Sequence, residues 1–389
     1  MIGVGRTDRS AFGDWWWTVD RWLLVVLLLL IAAGAILVMA ASPAVADRLG
    51  LDSFHFVRRQ LIFLVPGLAV VFVTSLLPPI LIRRLAVIGL LVTMLMLVAT
   101  LFFGHDVKGA RRWLSLGGLL LQPSEFAKPL LAVVCAWLLA QRAQHENFPS
   151  FTIVAMVAAV VIGLVVIQPD VGMAMVIAAV TFTQMFLAGL PLILVAGLAL
   201  AGASAAVGAY ALFPHVASRI DRFLDPSRGD TFQVDTSINA FSHGGLFGTG
   251  PGEGVLKTVL PDAHADFIFA VAGEEFGLLP SLGLIVLFAV LLLRGFARLF
   301  RESEMFNLLA AAGILSQLGL QAVINMGVNM SLLPAKGMTL PFISYGGSSM
   351  LALAFGMGIV LALTRQRAGG YRPPVHRPLA PLARDGASA

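Results

Sequence analysis

Between Leu260 and Gly277 the chain reads LPDAHADFIFAVAGEEFG, setting Asp262, His264, Asp266, Glu274 and Glu275 in otherwise apolar sequence. Carboxylates beside or within a bilayer are costly to hold, so they count as functional candidates until packing explains them. A carboxylate at a hydrated mouth can take a proton from a hydroxyl. Read as one helix over 266–293, the segment sets Glu274 about 80° around and about 12 Å along from Asp266, with Glu275 on the opposite side. The three acids therefore do not form one catalytic pair. Asp266 is the general-base candidate, because a helix N-terminus at the outer mouth favours its ionised form; the competing reading is an N-terminal cap. His264 can titrate or position a neighbour, but one histidine makes no metal site. Glu274 and Glu275 are expected in helix packing or a salt link within the bundle.

Two other stretches carry chemistry. In KGARRWLSLGGLLLQPSEFAK, residues 108–128, Arg111 and Arg112 beside Trp113 offer guanidinium forks for phosphate and an aromatic face, or else an interfacial anchor. Glu125 and Lys128, spaced i, i+3 behind Pro123, share a helix face and fit a polar cavity better than a plain structural ion pair. In FQVDTSINAFSHGGLFGTGPGEG, residues 232–254, the glycines permit close backbone approach to a ligand. No strand–helix unit surrounds them, so a nucleotide fingerprint is excluded and a flexible lid or a plain loop remains. Gln-Pro-Asp at 168–170 echoes Gln-Pro-Ser at 122–124, a weak hint of a transporter-like repeat.

The elements that must hold these groups are membrane helices. The chain has 389 residues, 58% hydrophobic and 12% charged, with a mean hydropathy of +0.91. Apolar runs near the ~20 residues that a crossing helix needs recur throughout. Ten are read, at about 22–42, 60–78, 85–103, 124–141, 151–167, 171–189, 191–213, 266–293, 306–330 and 345–364. The fold class is thus an all-α integral membrane protein of ten helices, with a large extracytoplasmic loop, 214–265, between helices 7 and 8. Residues 1–21 are a cytoplasmic lead whose tryptophans suit the interface, 22–365 the membrane domain, and 366–389 a Pro/Arg-rich tail read as disordered. With both termini inside, the inner side holds 14 of the 26 basic but only 7 of the 21 acidic residues, as the positive-inside rule expects. Cys135 lies in a span and cannot form an intrachain disulfide, and no basic–aromatic platform points to nucleic acid.

GARRWL with QPSEFAK, LPDAHADFIFAVAGEEFG, and NMGVNMSLLPAKGMTLPFISYGGSS at 325–349 together resemble the SEDS proteins of bacteria, the shape, elongation, division and sporulation family. The segment around Lys336 and Thr339 is more similar to the division members than to the elongation members. The resemblance covers about 20–365 and implies peptidoglycan glycosyltransferase activity on lipid II, forming β-1,4 strands in the inner membrane at the septum. It implies a class B penicillin-binding protein as transpeptidase partner, alongside other membrane proteins of division. It carries the key acid onto Asp266 and substrate roles onto Trp113, Glu125 and Lys128. Arg111, Arg112 and Lys336 would face the pyrophosphate, His264 would position Asp266, and a divalent cation, Mg or Mn, is a candidate addition. Ala265 stands where many members have Thr. A lipid II flippase is the rival reading, compatible with polar groups inside the bundle.

Overall fold

The structure is a computed structural model that describes residues 10–107, 110–117, 119–143, 145, 147–228 and 231–365; the expected tail at 366–389 lies outside them. It is helical apart from one small sheet. A short helix α1 (Ala11–Thr18) leads into α2 (Arg21–Arg48), followed by α3 (His55–Leu76) and α4 (Pro79–Phe103). An antiparallel sheet of β1 (His105–Val107), β2 (Ala110–Leu116) and β3 (Leu119–Leu121) follows where the sequence suggested loop. Then come α5 (Pro123–Ala140), α6 (Ser150–Ile167), α7 (Val171–Leu187), α8 (Leu192–Leu212), α9 (Pro214–Leu224), α10 (Phe232–Gly244), α11 (Ile268–Glu275), α12 (Leu278–Leu299), α13 (Met305–Asn329) and α14 (Gly347–Leu363). Eight of these, α2 to α6, α8, α12 and α13, are long and apolar enough to cross a membrane; α7 and α14 are shorter apolar helices of 17 residues.

Local chemistry sets the ends. Asp20 caps α2 by accepting from Trp22 and Leu23 N–H, Pro123 opens α5, and Asp170 caps α7 through Met173 N–H; each satisfies or removes a donor the first turn cannot use. α5, α13 and α14 form the buried centre, and α3, α4, α6 and α12 surround it. α8 is different: none of its residues is buried. At one end of the bundle Asp20 pairs with Arg294 at 3.0 Å and with Arg298, Trp15 donates to Ser75 Oγ at 2.7 Å, and Arg365 reaches Thr18 Oγ1 at 2.9 Å. The start of α2 and the end of α14 therefore lie at the same end of the bundle.

The single helix expected over 266–293 is broken. Gly277, at φ 86°, ends α11 and starts α12, because its backbone passes within reach of Leu246 and Gly248, where a Cβ would stand 2.3 Å from Gly248 N. Asp266 consequently lies in the turn before α11 and not at the mouth of a spanning helix. The glycine segment is no free lid either. Glu274, fully buried, accepts from Val255 and Leu256 N–H at 2.8 Å, Lys257 N–H at 3.1 Å and His243 Nδ1 at 3.2 Å. Glu275 pairs with Lys257, which also donates to the Ala40 carbonyl of α2 at 3.0 Å, and accepts Gly252 N–H at 3.0 Å. The expected salt link exists, and it clamps the glycine segment onto α11.

Glu274→Gln places an amide nitrogen among backbone donors and is expected to cost about 2–4 kcal/mol. The thermal midpoint of the purified protein should fall and the segment from Gly245 to Leu260 should become open to protease. An unchanged midpoint and cleavage pattern would contradict the clamp.

Candidate functional site

The turn carrying Asp266 is fastened residue by residue. Asp262 adopts φ 52°, a left-handed conformation that Asp tolerates, and its carbonyl accepts Ala265 N–H at 2.9 Å and Asp266 N–H at 3.0 Å. The carbonyls of His264, Ala265 and Asp266 all find donors on other elements. His264 O accepts Tyr345 N–H at 3.0 Å, and Ala265 O accepts Ser344 Oγ at 2.6 Å. Asp266 O accepts both Asn325 Nδ2 at 2.9 Å and Asn329 Nδ2 at 3.0 Å. The His264 ring packs on Phe56 and Tyr345, with centroids 4.1 and 5.3 Å away. His264 is thus a wall of the turn.

The Asp266 carboxylate, half-buried, faces the 331–346 loop: a Cβ at Gly337 would meet its Oδ2 at 2.5 Å, so any side chain there would displace the carboxylate. The preceding residue, Lys336, donates to Asp170 Oδ1 at 3.0 Å and lies against Gly172, where a Cβ would be 2.0 Å from its Nζ. Arg112 completes this row. Its Nε donates to the Gln168 carbonyl at 3.1 Å, one terminal nitrogen donates to Pro169 O, and the other stands 3.5 Å from Asp170 Oδ2. Asp266, Lys336, Asp170 and Arg112 therefore form one contiguous line at the sheet-bearing end of the bundle.

Charge is tuned along that line. Burial alone would push the Asp170 carboxyl up, but Lys336 and Arg112 outweigh it and hold the group below its ordinary value. Burial pulls the Lys336 ammonium down and Asp170 pulls it up; burial prevails, helped by Lys128 and Arg112. Lys128 thus belongs to the same field. It pairs with Glu125 at 3.0 Å, both nearly buried on α5. Pro129 cannot donate the helix bond to the Glu125 carbonyl, which loosens the helix beside this pair.

Of the expected site residues, Arg112, Lys128, Glu125, Lys336, Asp266 and His264 converge. Arg111 does not: on β2 successive residues face opposite sides, so with Arg112 turned to Asp170, Arg111 is exposed on the other face. Trp113 sits opposite His105 in the sheet, half-buried. Asp170, Asn325, Asn329 and Ser344 were not among the sequence candidates. The first carried a visible signal, an acid opening an apolar helix, and the asparagines share the four-residue spacing of Gln317, Gln321, Asn325 and Asn329 on one buried helix face. Among the described residues no three His, Cys, Asp or Glu gather to hold a metal.

The arrangement couples a positioned carboxylate to cations that share a single buried counter-charge, which suits proton abstraction beside a departing or resting polyanion. Asp170→Asn leaves Lys336 and Arg112 without that counter-charge and is expected to cost about 2–4 kcal/mol, reduced from fully buried values by their partial exposure. In thermal unfolding, Asp170→Asn/Lys336→Met should be more stable than Asp170→Asn alone. Strict additivity of the two substitutions would refute the coupling.

The family model described as cell cycle protein, FtsW/RodA/SpoVE, matches residues 20–369. The chain is 44% identical over 367 residues to the protein named "Probable peptidoglycan glycosyltransferase FtsW" of Caulobacter vibrioides, covering 94% of each. It is 38% identical over 340 residues to the protein of the same name from Trichlorobacter lovleyi, covering 85% of this chain and 88% of that one. Among solved structures, a chain of a peptidoglycan synthase complex that coordinates polymerization and crosslinking superposes with a TM-score of 0.73 at 29% identity, covering 89% of this chain and 97% of that chain. The rod shape determining protein RodA of Thermus thermophilus gives 0.64 at 28% identity, covering 90% and 97%.

Proposed function

The chain belongs to the FtsW/RodA/SpoVE family of cell cycle proteins, and from that premise we propose that it is a peptidoglycan glycosyltransferase polymerising lipid II into β-1,4 glycan strands at the division septum, with Asp266 as general base. The observation that carries this reading is the Asp266 carboxylate seated against Gly337, one residue from the Lys336–Asp170–Arg112 row. A base and its anion-binding cations are thus held at one mouth.

Asp266 takes the proton of the acceptor 4-hydroxyl as that oxygen bonds the donor anomeric carbon. The bond from that carbon to the pyrophosphate oxygen breaks on the opposite face, and the polyprenyl pyrophosphate leaves with the electron pair. An α-linked donor and a β-linked product require one inversion, which a single base serves. Arg112, Lys128 and Lys336 meet the charge that grows on the leaving group. Mg or Mn would find no ready protein cluster among the described residues, so such an ion would be carried largely by the pyrophosphate. The asparagines Asn325 and Asn329 act through the Asp266 backbone and position it.

The division assignment rests on relatives named FtsW; the elongation-type polymerase is its near alternative. A class B penicillin-binding protein is the proposed crosslinking partner, by likeness to the synthase complex, with other division membrane proteins around it. Counting α7 and α14 as spans gives ten. The meeting of Asp20, Ser75, Arg365 and the α12 arginines at one end supports both termini being cytoplasmic, with the 214–265 segment outside and the protein in the inner membrane.

Purified protein with its transpeptidase partner should convert lipid II to glycan strands on a gel, and Asp266→Asn should reduce this by at least a thousandfold. Normal polymerisation by that variant overturns the base. Asn329→Leu should lower kcat about tenfold or more with KM little changed, because it shifts the base without removing it; an unchanged kcat removes the positioning role. The buried polar face of α13 gives the flippase reading its support. Movement of labelled lipid II across vesicles without strand formation would establish it instead.

A further inference from the structure

Phe342 adopts φ 63° although its side chain is bulky and buried. A left-handed aromatic residue is a rare conformation that persists only where its surroundings enforce it. It sits in a turn closed by three hydrogen bonds: Ile343 and Ser344 N–H donate to the Leu340 carbonyl at 3.1 and 3.0 Å, and Leu340 N–H donates to Ser344 Oγ at 2.7 Å. Leu340, Ile343 and Ser344 are buried as well. The turn rests on α2. A Cβ at Gly34 would stand 2.3 Å from the Phe342 carbonyl oxygen, 2.7 Å from Ile343 Cα and 3.1 Å from the Ile343 carbonyl oxygen. Gly34 lies at the middle of α2, about 20 Å from either end, so this irregular backbone reaches a depth along a spanning helix at which it is tolerated only when enclosed by protein.

The same turn is tied directly to the segment that carries the proposed base. Ser344 Oγ donates to the Ala265 carbonyl at 2.6 Å, Tyr345 N–H donates to the His264 carbonyl at 3.0 Å, and Gly337, earlier in the loop, lies against the Asp266 carboxylate. On the polymerase reading above, we propose that Gly34, on a helix that supplies none of the site residues named so far, is a positioning residue for Asp266: its missing side chain sets the depth at which the 340–344 turn seats. The three atoms nearest to a Cβ there are all backbone, so no side-chain rotation makes room for a methyl group. A carbon–oxygen contact needs about 3.3 Å, which asks for a retreat of about 1 Å. α2 is held against supplying it. Asp20 ties its start to Arg294 and Arg298, Lys257 donates to the Ala40 carbonyl, and Arg48 donates to the Thr258 and Leu260 carbonyls at 3.4 and 3.2 Å. The turn moves instead and takes the Ala265–Asp266 segment with it, and a shift of that size at a reacting group costs up to about a hundredfold in rate.

Two measurements on the full-length protein test this. In strand synthesis with the transpeptidase partner, Gly34→Ala should lower kcat about tenfold or more with KM within about twofold. Gly67→Ala on α3, where a Cβ would make an ordinary contact of 3.5 Å with Met350 Cγ, should change neither. An unchanged kcat in Gly34→Ala, or a rise in KM alone, overturns the proposal. Hydrogen exchange reads the seat without turnover. In Gly34→Ala the amides of 262–268 and 338–346 should exchange at least about tenfold faster while those of α4 and α6 keep their wild-type rates. An unchanged pattern overturns the proposal, and so does a rise spread over the whole bundle, which a merely destabilised or misfolded variant would give. Failure of wild type to make strands would defeat the polymerase reading, while exchange still decides whether Gly34 seats the turn.

Discussion

A backbone turn placed at the mouth of an apolar bundle must find a donor for every carbonyl it turns inward, and this constraint organises the protein. An unmet carbonyl there costs about 1–3 kcal/mol. The carbonyls of His264, Ala265 and Asp266 are met by Tyr345, Ser344, Asn325 and Asn329. The donors come from α13 and from the loop that also carries Lys336. Satisfying the turn therefore fixes the Asp266 carboxylate relative to the loop that carries Lys336, and the same hydrogen bonds that stabilise the backbone hold the candidate site in place. Asn325 strengthens the tie by also donating to the Met338 carbonyl at 2.6 Å.

The glutamates below that turn solve the same problem from the other side. The segment after α10 is rich in glycine and has little side chain to bury, so it cannot hold itself in place. Glu274 and Glu275 supply acceptors for its amides, and their own carbonyls accept Thr249 and Gly250 N–H, each at 3.0 Å. The charge left by two carboxylates in so dry a place is met by Lys257 alone among the described lysines and arginines. Lys257 also reaches α2. A cost that would be hard to explain for packing alone makes sense if the glycine segment must be held still against α11.

Much of this was legible in the sequence because membrane helices announce themselves by length and apolarity, and because acids within such sequence stand out. The runs over α5 to α8, α13 and α14 fall within two residues of the helices, while α2, α3 and α4 extend five or six residues beyond one end of theirs. What failed was continuity: an apolar run from Asp266 to Leu293 gives no sign that Gly277 turns left-handed, since that depends on the distant Leu246–Gly248 backbone pressed against it. The sheet at 105–121 was missed because its strands are of three, seven and three residues, too short for alternation to register. Arg111 was grouped with Arg112 for the same reason, since adjacency in sequence means opposition on a strand. Asp170 was overlooked although it carried the signal that singled out Asp266.

α13 shows how the parts depend on one another. It carries Gln317, Gln321, Asn325 and Asn329 on one face, all buried, at four-residue intervals. The lower pair is linked at 3.4 Å, and Gln317 lines a cavity with Lys128 and Thr181 that has about 10 Å³ of room for the centre of a water molecule. A water there would serve both the Gln317 carbonyl oxygen, which accepts no hydrogen bond, and the Lys128 ammonium, which otherwise has its ion pair with Glu125. The upper pair holds the Asp266 backbone. A single helix thus runs from the cavity beside Lys128 to the turn that carries Asp266, so the distance between the two is set by helix geometry and not by loops. This gives so costly a polar face a reason to be kept in an apolar bundle: under the proposed mechanism it sets the spacing between the cation and the carboxylate that act on opposite faces of one anomeric carbon.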